Sequence, residues 1–155
     1  MLAGCGSDRD GPLALPADAQ AAVVVRHVDG DTLDLRGAGS GPLPDAPTRV
    51  RLLQVDTPEV GGQPECGGPE ASARLAALLP VGATVRVAAD VDLLDRYGRT
   101  LLLVWDERGG SVQESLVADG LATVLHVGRN DRGLAALEAV ERAARADGRG
   151  TWSAC

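Results

Sequence analysis

The sequence predicts an α+β domain that is mainly β: a five-stranded barrel with three helices, in the order β-β-β-α-β-β-α-α. Three observations carry this expectation. Five apolar or alternating segments are separated by clusters of Gly, Asp and Pro, the pattern of short strands and turns. One segment of helical spacing lies between the third and fourth strands, and two follow the fifth. The length, 155 residues, suits one domain with a workable core. Five strands with a helix between the third and fourth is the layout of an OB-type barrel.

The elements follow in order. The first strand is AAVVVRHV (21–28), and the Asp29-Gly30 turn leads into the alternating second strand, TLDLR (32–36). A Gly/Pro-rich loop (37–47) precedes the third strand, TRVRLLQVD (48–56). EVGGQPECGG (59–68) has too much Gly and Pro for regular structure. PEASARLAALL (69–79) is a helix with Pro69 at its first position. ATVRVAADV (83–91) and RTLLLVW (99–105) are strands four and five, joined by a turn around Asp95, Tyr97 and Gly98. SVQESLVADG (111–120) is a helix with Ser111 as N-cap, Glu114 three residues on and Gly120 as stop. LATVLHV is short and extended, and DRGLAALEAVERAARAD (131–147) is an amphipathic helix.

Charge narrows the function classes. The net charge is −7, so a broad basic footprint for nucleic acid is excluded; any such contact must come from a few local arginines. The aromatics are only Tyr97, Trp105 and Trp152, too few for a base-stacking platform. No apolar run reaches spanning length.

The first 19 residues read as a flexible tether, rich in Gly, Asp and Pro, leaving 20–155 as the folded domain. Leu2-Ala3-Gly4-Cys5 resembles a bacterial lipobox, in which the cysteine is lipidated. The basic and apolar stretches that precede such a box are missing, so a signal with an upstream start and a chance match both stand. Cys66 and Cys155 have neither metal-ligand spacing nor histidine neighbours. In an exported protein they suit a disulfide, which in the chain-entropy model contributes roughly 4–5 kcal/mol for a loop of about 90 residues. In a reducing compartment they are two free thiols.

Several chemistries can be set aside. GAGSG precedes a Pro-rich loop rather than a helix, so it is no dinucleotide fingerprint. DVDLLDRYG lacks the Gly and the closing Glu of an EF-hand loop. His27 and His126 are too few for most zinc sites. What stands out is acid and arginine at strand ends: Asp29 and Asp31 at the first hairpin, Arg51 with Asp56, Thr57 and Glu59 on and after strand three, and Arg96 and Arg99 around the last turn. Hard oxygen donors suit Ca²⁺ or Mg²⁺, and guanidinium forks suit phosphate. Each motif alone also reads as an ordinary turn, helix start or surface pair; their joint occurrence in one small barrel favours a site.

VDGDTLDL, RLLQVDTPE, GPEASA and DRYGR, in this order, resemble the staphylococcal nuclease family, as do GLATVLHV and the closing GRGTWSAC, the latter like its exported, cysteine-containing members. It runs from about residue 23 to residue 152. The resemblance implies an OB barrel with three helices and a Ca²⁺-dependent phosphodiesterase acting on DNA and RNA, single strands preferred, that leaves 3′-phosphates. By the same resemblance Asp31, Asp56 and the Thr57 carbonyl hold Ca²⁺, with Asp29 in the outer shell. Glu59 is then the general base, Arg51 and Arg99 clamp the phosphate, and Arg96, Tyr97 and His126 meet the nucleotide. It also implies an extracellular or cell-surface monomer, lipid-anchored to a membrane if Cys5 is a true lipobox cysteine.

That chemistry is coherent. Phosphodiester hydrolysis builds negative charge that two arginines and a cation stabilise, while a carboxylate near the metal takes a proton from water. The chain departs from the family where two nucleotide-contacting tyrosines are replaced by His126 and Gly128, where a turn lysine is replaced by Arg96, and where a long basic loop becomes VGGQPECGG. Nucleotide grip and base preference are therefore open. A rival, a non-catalytic OB module binding nucleic acid or protein, should have lost Arg51, Glu59 or Arg99; none is lost. One geometric conflict remains: Arg51 and Asp56 lie an odd number of residues apart, so an unbroken strand would point them to opposite faces.

Overall fold

The computed structural model describes residues 13–155. Five strands close the barrel: β1 (Gln20–His27), β2 (Thr32–Gly37), β3 (Thr48–Leu52), β5 (Thr84–Ala88) and β6 (Thr100–Trp105). Their order around the barrel is β1-β2-β3-β6-β5, with β5 returning to β1. Pairing is antiparallel except between β3 and β6, which run parallel. This is the expected OB barrel, mixed rather than purely antiparallel. Closure leaves the sheet no open edge.

Alternation builds the interior. Ala22 and Val24, Leu33 and Leu35, Val50 and Leu52, Val85 and Val87, Leu102 and Val104 come from the five strands in turn, and all are buried together. Residues two apart share a face, so each strand supplies a pair. A bulge between Val24 and Arg26 shifts the β1–β2 register and bends β1, so that it can pair with β2 along its length and with β5 through Gln20–Val23.

Helices α1 (Gly68–Leu78), α2 (Val112–Ala118) and α3 (Leu134–Ala146) cover the same core through Leu75, Leu116, Val117 and Leu137. Burying each such side chain contributes about 1.5–3 kcal/mol. The Ser111 hydroxyl caps α2 by accepting from the Glu114 N–H at 3.1 Å. The Glu114 carboxylate does not return to Ser111. It accepts from the Leu13 N–H at 2.8 Å, while the Leu13 carbonyl accepts from Trp105 Nε1 at 3.0 Å. Residues 13–19 thus lie against the domain, with Asp18 paired to Arg132 at 2.7 Å. The rest of the segment read as a tether, including Cys5, lies outside the described residues.

The structure corrects the expected elements in four places. Strand three does not run to residue 56. It stops at Leu52, turns at Leu53-Gln54, and resumes as the two-residue β4 (Val55–Asp56). Gln54 has φ 67°, the left-handed region, and is held there because its carbonyl accepts from the Leu125 N–H at 2.9 Å and its Oε1 from the Gly133 N–H at 3.2 Å. β4 leaves the barrel and pairs with β7 (Thr123–Val124). Strand four ends at Ala88, because the following Asp90 and Asp92 turn their carboxylates to the backbone N–H groups of Arg129, Asp131 and Arg132. The last long helix begins at Leu134 rather than at residue 131. A short fourth helix, α4 (Thr151–Ala154), closes the chain.

Candidate active site

The break after Leu52 resolves the conflict over Arg51. Asp56 belongs to a different strand, so strand alternation no longer separates the two residues. The nearly buried Arg51 guanidinium spans the break: Nη1 donates to the carbonyls of Leu52 at 2.8 Å and Val55 at 2.6 Å. Its Nη2 donates to Asp56 Oδ1 at 3.0 Å and stands 3.2 Å from Asp31 Oδ2. Arginine suits this place because its planar fork addresses several acceptors at once.

The first hairpin brings Asp31 to the same point. Thr32 pairs with Arg51 across β2 and β3, and the Leu52 N–H bonds to the Asp31 carbonyl at 2.8 Å. The Asp31 carboxylate accepts from the Thr57 N–H at 2.9 Å and from the Thr32 hydroxyl at 3.0 Å. Asp29 orients it further by accepting from the Asp31 N–H at 3.0 Å. The approach requires Gly30: a Cβ there would stand 2.7 Å from Thr57 Oγ1 and 2.9 Å from the Ala71 Cβ.

Glu59 follows Pro58 on the loop outside this cluster and is exposed. Partial desolvation, then the negative charges of Asp29, Asp31, Asp56 and Glu65, push its carboxyl above the ordinary carboxylate range. Burial also raises Asp29, and it raises Asp56 against the opposing pull of Arg51. A raised carboxyl is a better proton acceptor than an ordinary one. Like-charged acids gathered beside one guanidinium also favour an added cation.

The other arginines sit on the turn between β5 and β6. The Asp95 carboxylate accepts from the N–H groups of Tyr97 and Arg99, each at 2.9 Å, and from Arg99 Nε at 2.6 Å. Burial would raise Asp95, but these hydrogen bonds outweigh it and hold the carboxyl below its usual value. Among the described residues neither Arg99 Nη makes a hydrogen bond, so the outer edge of that guanidinium is open to a ligand. The Arg96 and Arg99 guanidinium carbons stand 4.9 and 5.4 Å from the Tyr97 ring centroid. Arg51, Arg96, Tyr97, Arg99 and His126 line one cleft of about 960 Å³. Its remaining wall is largely aliphatic, with Leu52, Leu93, Leu94 and Leu125.

The structure therefore gathers Asp29, Asp31, Arg51, Asp56 and Thr57 in direct contacts, sets Glu59 beside them, and places Arg96, Tyr97, Arg99 and His126 on the adjoining cleft. Cys66 and Cys155 form a disulfide, with Cα atoms 6.0 Å apart. Two contributors escaped the sequence reading. Asp95 looked like a turn residue and is also the clamp on Arg99. Glu65, inside a loop read as irregular, accepts from the Glu59 N–H at 3.0 Å. The acid directly before Cys66 was the available signal.

Among the described residues no three His, Cys, Asp or Glu side chains are grouped as a metal cage. The donor set here is smaller: two carboxylates, Asp31 and Asp56, close enough to share one guanidinium nitrogen, with Thr57 bonded to Asp31. An all-oxygen pair of this kind fits a hard cation that keeps several waters.

Comparison with known proteins places the fold in a family. The family model for staphylococcal nuclease homologues matches residues 49–154, more than half of the chain. The chain belongs to the staphylococcal nuclease family. The match includes Arg51, Asp56, Thr57, Glu59 and Arg99 and begins after the hairpin with Asp29 and Asp31. Two Bacillus subtilis relatives within reach of this family are the SPbeta prophage-derived endonuclease YokF, 37% identical over 105 residues, and Endonuclease YncB, 34% identical over 132 residues. The matched parts cover 66% and 83% of this chain but only 33% and 59% of those proteins. The Staphylococcal nuclease domain-containing protein 1 of Drosophila melanogaster is 28% identical over 158 residues, which are 96% of this chain and 17% of that protein.

Proposed function

We propose that this domain is a metal-dependent nuclease that hydrolyses phosphodiester bonds in DNA and RNA, with Ca²⁺ as the metal. The observation that carries the reading is the convergence of Asp31 and Asp56 on Arg51, with Glu59 beside them; Arg51 also lines the cleft that Arg99 lines, while Asp56 and Thr57 line a separate, smaller pocket. Asp31, Asp56 and the Thr57 carbonyl would hold the cation, which when bound supplies positive charge against the phosphoryl oxygens.

The chain's own residues do the rest. Arg51 and the open edge of Arg99 take phosphate oxygens and stabilise the charge that develops on them. Glu59 takes the proton of the attacking water. The water oxygen bonds to phosphorus as the bond to the 5′-oxygen breaks, and the departing 5′-oxygen takes a proton from solvent water, leaving a 3′-phosphate and a 5′-hydroxyl. Single strands are the preferred substrate: the cleft presents aliphatic walls and Tyr97 to a base, and a base held in a duplex cannot enter it.

The disulfide supports an extracellular or cell-surface location, since such bonds persist in oxidising compartments. A lipid anchor at Cys5 and a monomeric state complete the proposal. The upstream coding sequence tests the anchor: it should encode a basic and then an apolar stretch before Met1.

The deciding experiment incubates the protein with single-stranded DNA in Ca²⁺, then with EGTA, beside Glu59→Gln. Cleavage in Ca²⁺ that EGTA abolishes and Glu59→Gln nearly eliminates is expected. No cleavage with any divalent metal would refute the nuclease reading. Undiminished cleavage by Glu59→Gln would refute the base assignment.

A further inference from the structure

We propose that Glu65, anchored through the Cys66–Cys155 disulfide, is the positioning residue that fixes where the Glu59 carboxylate stands; this rests on the nuclease reading of Glu59. The Glu59 side chain is exposed and makes no hydrogen bond among the described residues. Its place must therefore come from its backbone. That backbone is bonded to Glu65 twice. The Glu59 N–H donates to Glu65 Oε2 at 3.0 Å, and the Glu65 N–H donates to the Glu59 carbonyl at 2.9 Å. The residues between them include Gly61 and Gly62, around which a side chain would meet open space, so packing does not hold this stretch. The two hydrogen bonds close the loop, and its first residue also lies against α1, where a Cβ at Gly68 would stand 2.5 Å from the Glu59 carbonyl oxygen.

Glu65 in turn needs an anchor. The next residue, Cys66, is joined to Cys155 at the end of α4. α4 is fixed to the end of α2: the Thr151 N–H and hydroxyl both donate to the Gly120 carbonyl at 2.9 Å. Gly67 has φ 89°, and a Cβ there would stand 2.4 Å from the Thr151 methyl, so the loop and α4 touch closely. Two ties thus lead from Glu65 to the folded body: one through Cys66, Cys155 and α4 to Gly120, the other through the Gly68 N–H, which donates to the Glu65 carbonyl at 3.0 Å, into α1. Both cysteines are exposed, so a reductant can reach the bond. Reduction should slacken Glu65 and misplace Glu59 while leaving the Arg51 cluster in place.

The test compares wild type with Glu65→Ala, Glu65→Gln and the double variant Cys66→Ser/Cys155→Ser, measuring kcat and KM on single-stranded DNA and amide exchange at Glu59. Glu65→Ala should lower kcat about tenfold with KM nearly unchanged, since small misplacement of a catalytic group is costly. Its Glu59 amide should exchange faster. Glu65→Gln should recover most of kcat, because its amide oxygen accepts the same N–H. Reduced wild type and the double variant should resemble Glu65→Ala, with far-UV circular dichroism confirming the fold. If the double variant fails to fold, the Glu65 variants decide, since they keep the disulfide. An unchanged kcat in Glu65→Ala, or Glu65→Gln no better than Ala, would overturn the inference while an active wild type keeps the nuclease reading. Wild type that cuts nothing would overturn both.

Discussion

The two halves of the site are built differently. Around Arg51, two strands, a hairpin and a tight turn converge, and the guanidinium, Asp31 and the Thr57 N–H are all largely removed from water. Around Glu59, an exposed carboxylate rides on a Gly/Pro-rich loop held by two hydrogen bonds to Glu65, one of them to its side chain, and a covalent tie. The difference teaches a division of labour. Groups that hold charge are part of the barrel's own stability. The group proposed to handle the proton, Glu59, sits on a separately tethered segment, where substitution should change reaction rate with little effect on folding.

Breaking one half at a time sharpens this contrast. The largest effect is expected for Glu59→Gln: a loss of about 10²–10⁴ in cleavage rate. Its unfolding free energy should stay within about 0.5 kcal/mol of wild type, as for an exposed residue, measured by urea denaturation. Arg51→Ala should damage both properties. It strips the partner from Asp31 and Asp56, and removing one member of a buried pair costs about 3–5 kcal/mol. The low end applies, because Asp56 reaches solvent. Similar rate losses in both variants, with stability lost only in Arg51→Ala, would establish the contrast; a stable Arg51→Ala would erase it.

Gly30→Ala tests how closely the hairpin must approach. The added methyl would meet Thr57 and Ala71, and such overpacking costs about 1–3 kcal/mol. Thermal unfolding should show a lower midpoint, and cleavage should fall because Asp31 and Thr57 are pushed apart.

The smallest effect belongs to Asp34, on β2 away from the chemistry. A hydrogen bond from Arg49, then one from Arg26, hold its carboxyl below the ordinary value against some desolvation. The folded value is the lowered one, so its stabilisation is complete above about pH 4, the unfolded carboxyl's range. It is lost as pH falls through the folded value. Both arginines are substantially exposed, so solvent screening limits the pair to below about 1 kcal/mol. Asp34→Asn should therefore be slightly less stable than wild type at pH 7, and the gap should close in acid. A gap that widens in acid would reverse the sign of this argument.

Much of the fold was legible because it rests on local signals. Strand alternation, the Asp29-Gly30 turn and the Ser111 cap each act within a few residues. The break in strand three was not legible. Gln54 is not a residue that favours positive φ, and it adopts one only because Leu125 and Gly133, distant in sequence, supply its partners. The residues of the site were legible as a pattern of acids and arginines at strand ends. Their convergence was not, since it depends on that same break. Glu65 acts across six residues of a glycine-bearing loop, where no periodicity marks a contact. α4 spans only four residues, too few to leave a helical pattern.

The disulfide has a consequence for a protein that meets proteases. It joins residues 89 apart and encloses α1, β5, β6, α2, β7, α3 and α4 in one covalent ring. A single proteolytic nick anywhere within that ring yields two fragments that cannot diffuse apart. The nicked chain keeps both ends of the Glu59 loop attached, migrates as one species without reductant, and separates into two only when the bond is opened.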